Sequence, residues 1–321
     1  MSFLTRRHAL AAGAASLLCA PALAQGARTM RLVVPFPPGG STDALARMLQ
    51  ARLQAMSGQT TIVENMPGAA SALGASHVAK SAPDGLTLLV TFDSHTVIPA
   101  MVENPPLDIE KDLVPVSLVG TAPYVLATHK DKPFKSFKDV VEAAKARPRS
   151  VTYASVGIGT IGHLAMTLLA KRAGVEIIHV PYRGGGPAMN DLLGGHVDLL
   201  CGSIALVAPQ LGGPVVRPVM QMGAQRLPLI KETPTAIESG FDGFEALAWW
   251  GVFAPAATPS DTLNKLAASV KEALSEPEIA KKLQESQQMT LVFGDPAAAK
   301  PFFSRQTKVW GDVVRENNIK A

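Results

Sequence analysis

Twice in this chain a short apolar stretch runs into a glycine turn and then directly into an amphipathic helical pattern. The first copy is VVPFPPGGSTDALARMLQ, with Gly39 and Gly40 in the turn; the second is YASVGIGTIGHLAMTLLAKRAG, with Gly157, Gly159 and Gly162. Leu45, Leu49 and Leu53 recur at helical spacing after the first turn, and Leu164, Leu168 and Leu169 after the second. Around them, β-branched runs at 31–35, 60–63, 86–91, 151–154, 177–180, 197–201 and 215–222 alternate with helical patterns. Alternation of this kind predicts parallel sheets covered by helices, an α/β architecture.

Two stretches interrupt the alternation. LATHKDKPF at 126–134 is polar and proline-punctuated, and WWGVFAPAATP at 249–259 carries Gly251, Pro255 and Pro259; both read as crossings between lobes. The expected organisation is a first lobe of residues 25–125 and 249–321 and a second of 126–248. The helical patterns after Ser260 and Asp295 pack back on the first lobe. Each lobe then carries one glycine turn, and no repeat of solenoid period is visible.

The opening MSFLTRRHALAAGAASLLCAPALAQ has a basic start, a short apolar run and the small-x-small site Ala22-Leu23-Ala24. It reads as a cleavable secretory signal, residues 1–24, and therefore as a periplasmic address. Arg6-Arg7 fits a twin-arginine signal or an ordinary basic start equally well. Cleavage removes Cys19, leaving Cys201 as the one thiol, so no internal disulfide forms and the core alone holds the fold. The net charge of +4 falls to +2 with the loss of Arg6 and Arg7, and no basic run is interleaved with aromatics, so nucleic acid is not an expected partner.

A tight turn at a helix N-terminus leaves backbone N–H groups at the positive end of the helix dipole, a setting for an anion. Two such turns facing across a cleft would hold one carboxylate, or one each of two. In the plainer reading Ser41, Thr42 or Asp43 simply caps the first helix. Gly157, Gly159 and Gly162 also satisfy G-x-G-x-x-G, yet the following strand ends His179-Val180-Pro181-Tyr182-Arg183 without the acidic residue of a dinucleotide site. An exported NADP-dependent oxidoreductase using Arg183 stays open as an alternative. Catalytic and metal constellations are otherwise thin: no His-x-x-x-His pair, no thiolate pair and no G-x-S-x-G elbow occurs.

The ordered set PFPPGGSTDALAR, VENMPGAASALGASHVAKSAPDGLTLL, DLVPVSLV, YASVGIGTIGHLA, VPYRGGGPAMNDLLGGHVDLL, PTAIESGF and WWGVFAPAATP resembles the Bug-type solute receptors. These are the extracytoplasmic binding proteins of tripartite tricarboxylate transporters. The resemblance implies a two-lobe periplasmic binding protein of type II, each lobe a mixed sheet flanked by helices. It implies a monomer that closes like a flytrap on a small organic acid (a dicarboxylate, an acidic amino acid or an aromatic carboxylate) and hands it to membrane transporter subunits. It implies no enzyme activity, cofactor or metal; a sensor feeding a membrane kinase is a further alternative. Carried over, the ligand-binding residues are Phe36, Gly39, Gly40 and Asp43 in the first lobe and Ser155, Gly157, Gly159, Thr160 and His163 in the second. Ser94, Tyr182 and Asp198 are expected near the cleft, as is the wall Asp93-Ser94-His95. Members often carry Asn before the proline of that wall, where this chain has Ile98.

Overall fold

The computed structural model describes residues 29–320, so the expected leader with Arg6, Arg7 and Cys19 lies outside the described residues. In chain order the elements are β1 (Met30–Val34), α1 (Ser41–Ser57), β2 (Thr61–Asn65), α2 (Ala72–Ala79), β3 (Thr87–Phe92), α3 (Ile98–Met101) and β4 (Leu113–His129). There follow α4 (Phe137–Ala146), β5 (Thr152–Ser155), α5 (Ile161–Ala173), β6 (Ile178–Pro181), α6 (Gly185–Leu193), β7 (Leu199–Ser203), α7 (Ile204–Val207) and β8 (Val216–Gln221). The chain ends with β9 (Leu247–Pro255), α8 (Ser260–Leu274), α9 (Pro277–Gln287), β10 (Thr290–Gly294) and α10 (Pro296–Glu316). All seven strands expected from sequence are present, each within two residues of its expected start.

The strands form one mixed sheet in the order β2-β1-β3-β9-β4-β7-β5-β6, with β10 and β8 also paired to β4. It divides into two half-sheets. In the first, β1, β2 and β3 are parallel and β9 runs antiparallel between β3 and β4. In the second, β5, β6 and β7 are parallel, and β7 and β8 flank β4 antiparallel.

The two stretches read as crossings between lobes lie partly in central strands. Residues 126–129 end β4, with Leu126, Ala127 and Thr128 fully buried between β7 and β8. Residues 249–255 belong to β9, where Trp249 and Trp250 are wholly buried. The chain changes half-sheet inside β4: pairing with β9 ends at Pro123 and pairing with β7 begins at Tyr124. Proline has no amide hydrogen for a ladder, and here it stands where the partner changes. The return passage lies beside it, where Tyr124 N donates to Ala246 O at 3.0 Å and Ala246 N to Met222 O at 2.9 Å.

Leu45 and Leu49 of α1 and Leu164 and Leu169 of α5 are fully buried against their half-sheets, each burial contributing about 1.5–3 kcal/mol. Leu168 is only half-buried. α8 packs on α1, and α10 packs on β4, with Phe303 turned against Trp249 and Phe253 of β9, while its end reaches α5 through Lys171–Glu316. Cys201 is a free, buried thiol.

Candidate functional site

The parallel strands of both half-sheets end at the same cleft, where open α/β sheets bind ligands. The segments after β1, β3, β5, β6 and β7 line a space of about 800 Å³. An adjoining recess of about 270 Å³ shares Phe36, Pro37, Ser94 and Thr160 with it and is also lined by Pro67, Ser71, Val97, Met101 and Ile158.

In the first half, Phe36, Gly39, Gly40, Ser41 and Thr42 line the cleft. Gly40 is the N-cap of α1 and no side chain caps the helix, so the plain capping role of Ser41, Thr42 or Asp43 is absent. Asp43 lies behind the turn, 3 % exposed. It accepts from Gly39 N at 3.0 Å, Arg47 Nε at 2.9 Å and Asn65 Nδ2 at 2.9 Å. Those donors outweigh its burial and hold its carboxyl below the usual range. Asp43 therefore shapes the turn instead of lining the cleft, and it already occupies the Gly39 amide.

In the second half, Thr160 lines the cleft as N-cap of α5, again without a side-chain cap bond. Its hydroxyl donates to Gly157 O at 2.8 Å. Ser155 is fully buried under the turn, donating to Gly157 O at 3.0 Å and accepting from Gly157 N at 3.3 Å. Its Oγ also lies 2.7 Å from His179 Nε2. His163 Nδ1 accepts from Gly159 N at 3.1 Å. The amides of Gly157 and Gly159 are thus engaged within the protein, while the first turns of α1 and α5 have no side-chain cap.

Packing accounts for the second glycine pattern. A Cβ on Gly162 would stand 2.5 Å from Cys201 O, so the bare backbone lets α5 lie against β7. Gly159, at φ 74°, accommodates Met101 from the opposite half of the cleft.

Several expected residues sit elsewhere. Asp198 precedes β7, at the strand end opposite the cleft, where it binds Lys132 Nζ at 2.8 Å and Thr152 N at 2.9 Å. Tyr182 is half-buried and its hydroxyl donates to Asp191. Of the wall 93–95, Asp93 and Ser94 line the cleft while His95 lines a different cavity. Ile98 is fully buried in the core.

Sequence reasoning missed a third glycine turn: Gly184, Gly185 and Gly186 line the cleft at the start of α6, whose N-cap Gly184 gives no side-chain bond. The signal was RGGGPAMNDLL, glycines directly before an apolar helical pattern. It also missed Ser203 and, from the far end of the chain, Gln287, whose Nε2 donates to Ser41 O at 3.3 Å.

No lysine or arginine lines the cleft or its recess among the described residues. Asp93, buried and accepting from Tyr124 OH at 2.8 Å, has its carboxyl pushed up to about 8 by loss of solvation. The floor is therefore uncharged at neutral pH. Among the described residues no metal-holding cluster of His, Cys, Asp or Glu occurs, and no helix is long and apolar enough to cross a membrane.

A mixed α/β fold whose helix-flanked half-sheets meet at a common cleft is the architecture of periplasmic binding proteins. The chain belongs to the tripartite tricarboxylate transporter family receptors, whose model matches residues 45–319. It is 35 % identical to protein BugT of Bordetella pertussis over 296 residues, 92 % of this chain and 90 % of that protein. Among solved structures it is similar to R. palustris Rpa4515 with adipate, at 31 % identity and TM-score 0.80, covering 92 % of this chain and 100 % of that one. It is likewise similar to MatC of Rhodopseudomonas palustris with bound malate, at 31 % identity and TM-score 0.77, covering 90 % and 99 %. Members of this family are periplasmic substrate-binding receptors and not enzymes, which retires the NADP alternative.

Proposed function

We propose that this receptor captures a small dicarboxylate in the cleft and delivers it to the membrane subunits of a tripartite tricarboxylate-type transporter. The observation that carries the reading is a cleft without cationic side chains among the described residues, faced by the uncapped first turns of three helices. Helix N-termini attract anions through their free amides and dipole, so a carboxylate is bound without a salt bridge. The adipate and malate in the similar structures are both dicarboxylates, in keeping with more than one helix end being available.

A ligand touching turns on both half-sheets completes its hydrogen bonds only when the halves approach, which is the differential affinity that drives a closing motion. The half-sheets act as the two lobes, hinged at Pro123–Tyr124 and Ala246–Leu247, where the chain passes from one to the other. The leader at residues 1–24 directs the monomer to the periplasm. Thermal denaturation against adipate, malate, succinate, glutamate and benzoate tests the reading: a ligand at about 100 times its Kd adds roughly 2.7 kcal/mol. Stabilisation by none of these acids would defeat it.

A further inference from the structure

The short 3-10 turn Asp93–Val97 stands between the cleft and a separate cavity. Asp93 and Ser94 line the cleft, whereas His95 and Thr96 line a separate cavity of about 170 Å³ between this turn, the start of β4 and α10. The two spaces share no lining residue.

His95 is 2 % exposed, and neither ring nitrogen has a hydrogen-bond partner. Burial holds the imidazole neutral, its pKa pushed down to about 3. A neutral ring offers one N–H donor and one lone pair, and leaving both unmet in the interior is costly. Phe253 leans on the His95 ring with centroids 5.1 Å apart, and Phe303 adds a second aromatic wall 4.7 Å from Phe253. Glu110, Lys111 and Lys300 are the charged lining residues. Lys111 is paired with Asp108 at 2.8 Å, while Lys300 has no ion-pair partner among the described residues. The volume is close to the roughly 150 Å³ that accepts a benzene ring.

We propose that this cavity is a second binding site, for a single-ring aromatic acid bearing a hydroxyl group: the ring lies against Phe253 and Phe303, the hydroxyl meets His95 and the carboxylate meets Lys300. The hydroxyl supplies what the buried imidazole lacks, and the ring is matched to the aromatic walls. This site does not depend on the cleft's function, because its lining is wholly different.

Calorimetric titration of the mature chain with 4-hydroxybenzoate tests it, using the cleft-filling variant Ala205→Trp as background. Binding is expected to persist in that background and to weaken on the order of tenfold on adding His95→Phe, as for loss of a buried hydrogen bond, and several-fold on adding Lys300→Gln. Benzoate, lacking the hydroxyl, is expected to bind on the order of tenfold more weakly than 4-hydroxybenzoate. No binding in the Ala205→Trp background overturns the proposal, as does binding indifferent to both added substitutions. Equal affinity for benzoate overturns the assigned role of the hydroxyl. Should His95→Phe fail to fold, the exposed Lys300→Gln and the benzoate comparison decide.

Discussion

The imidazoles of His163 and His179 lie face to face, ring centroids 3.9 Å apart and planes 8° from parallel. They sit beneath the second glycine turn, where His163 accepts from Gly159 N and His179 meets Ser155 Oγ, with Tyr153 stacked on the outer face of His179. Two cations could not share this stack, so the pair holds the turn in its neutral form.

Burial pushes both down to about 4, with His163 further depressing His179. The unfolded chain binds these protons near pH 6.5 and the folded chain only near 4. Stability from the pair is thus complete above about pH 6.5 and falls as pH drops towards 4, by at most about 1.4 kcal/mol per pH unit for each ring. Urea melts at pH 7 and pH 4.5 check this. His163→Phe keeps the stack and removes one titrating ring, so its stability loss between the two pH values should be smaller than wild type. An equal loss would exclude the pair as the acid sensor.

Asp93 gives the opposite slope. Its carboxyl titrates near 8 in the fold and near 4 in the unfolded chain, so the folded state holds the extra proton between those values. Its contribution is full below about pH 4 and declines as pH rises to 8. Asp93→Asn keeps a neutral polar group opposite Tyr124 and should be more stable than wild type at pH 8, with little difference at pH 4. Ionisation would also place a negative charge on the cleft floor, so carboxylate affinity should fall above about pH 8 in wild type but not in Asp93→Asn. Parallel titrations at pH 7 and 9 read the difference.

Gly159 carries a cross-cleft contact. An added Cβ would meet Met101 Cε at 2.5 Å, and its φ of 74° is left-handed. Gly159→Ala should cost about 2–3 kcal/mol, of which roughly 1–2 is the backbone conformation and the rest the displaced methionine. In a Met101→Ala background only the backbone part should remain, and a double-mutant cycle measures the coupling. Strict additivity would mean that the two residues do not touch in solution.

The half-sheet strands were legible because each is a brief β-branched run bounded by turns, and β1 and β5 ran into visible glycines. β4 and β9 were not: the end of β4 and most of β9 lay in stretches read as crossings, and Pro115, Pro123 and Gly251 interrupt their β-branched pattern. Those residues are tolerated where register shifts or partners change, and only the tertiary pairing shows that. The two glycine turns were legible as turns at helix N-termini, but not which of their amides stay free: Asp43 and His163 occupy two of them through contacts with their own turns. Gln287 reaches the cleft across 246 residues of sequence, a distance over which no local pattern carries information. Asp198 was misplaced because strand direction relative to the cleft, and not residue type, decides which end of β7 a side chain occupies.

Thr160 separates two accounts of the second turn. Its place at the N-cap of α5 suggests a cap or a hydroxyl donor to the ligand, yet its proton is spent on Gly157 O at 2.8 Å and no cap bond forms. The hydroxyl therefore ties the turn together from the cleft side, as Ser155 does from beneath at 3.0 Å from the same carbonyl. Thr160→Val removes that bond while conserving shape. Because Ser155 still serves the carbonyl, the expected loss of apo stability is about 0.5–1.5 kcal/mol, the net worth of one hydrogen bond. Carboxylate affinity should change less than about threefold, since the ligand-facing amides of α5 stay in place. Thr160→Ser should restore wild-type stability. Chemical denaturation of the apo protein beside calorimetric titration with the best acid separates the accounts. A tenfold or greater loss of affinity in Thr160→Val with unchanged apo stability would assign the hydroxyl to the ligand instead of the turn.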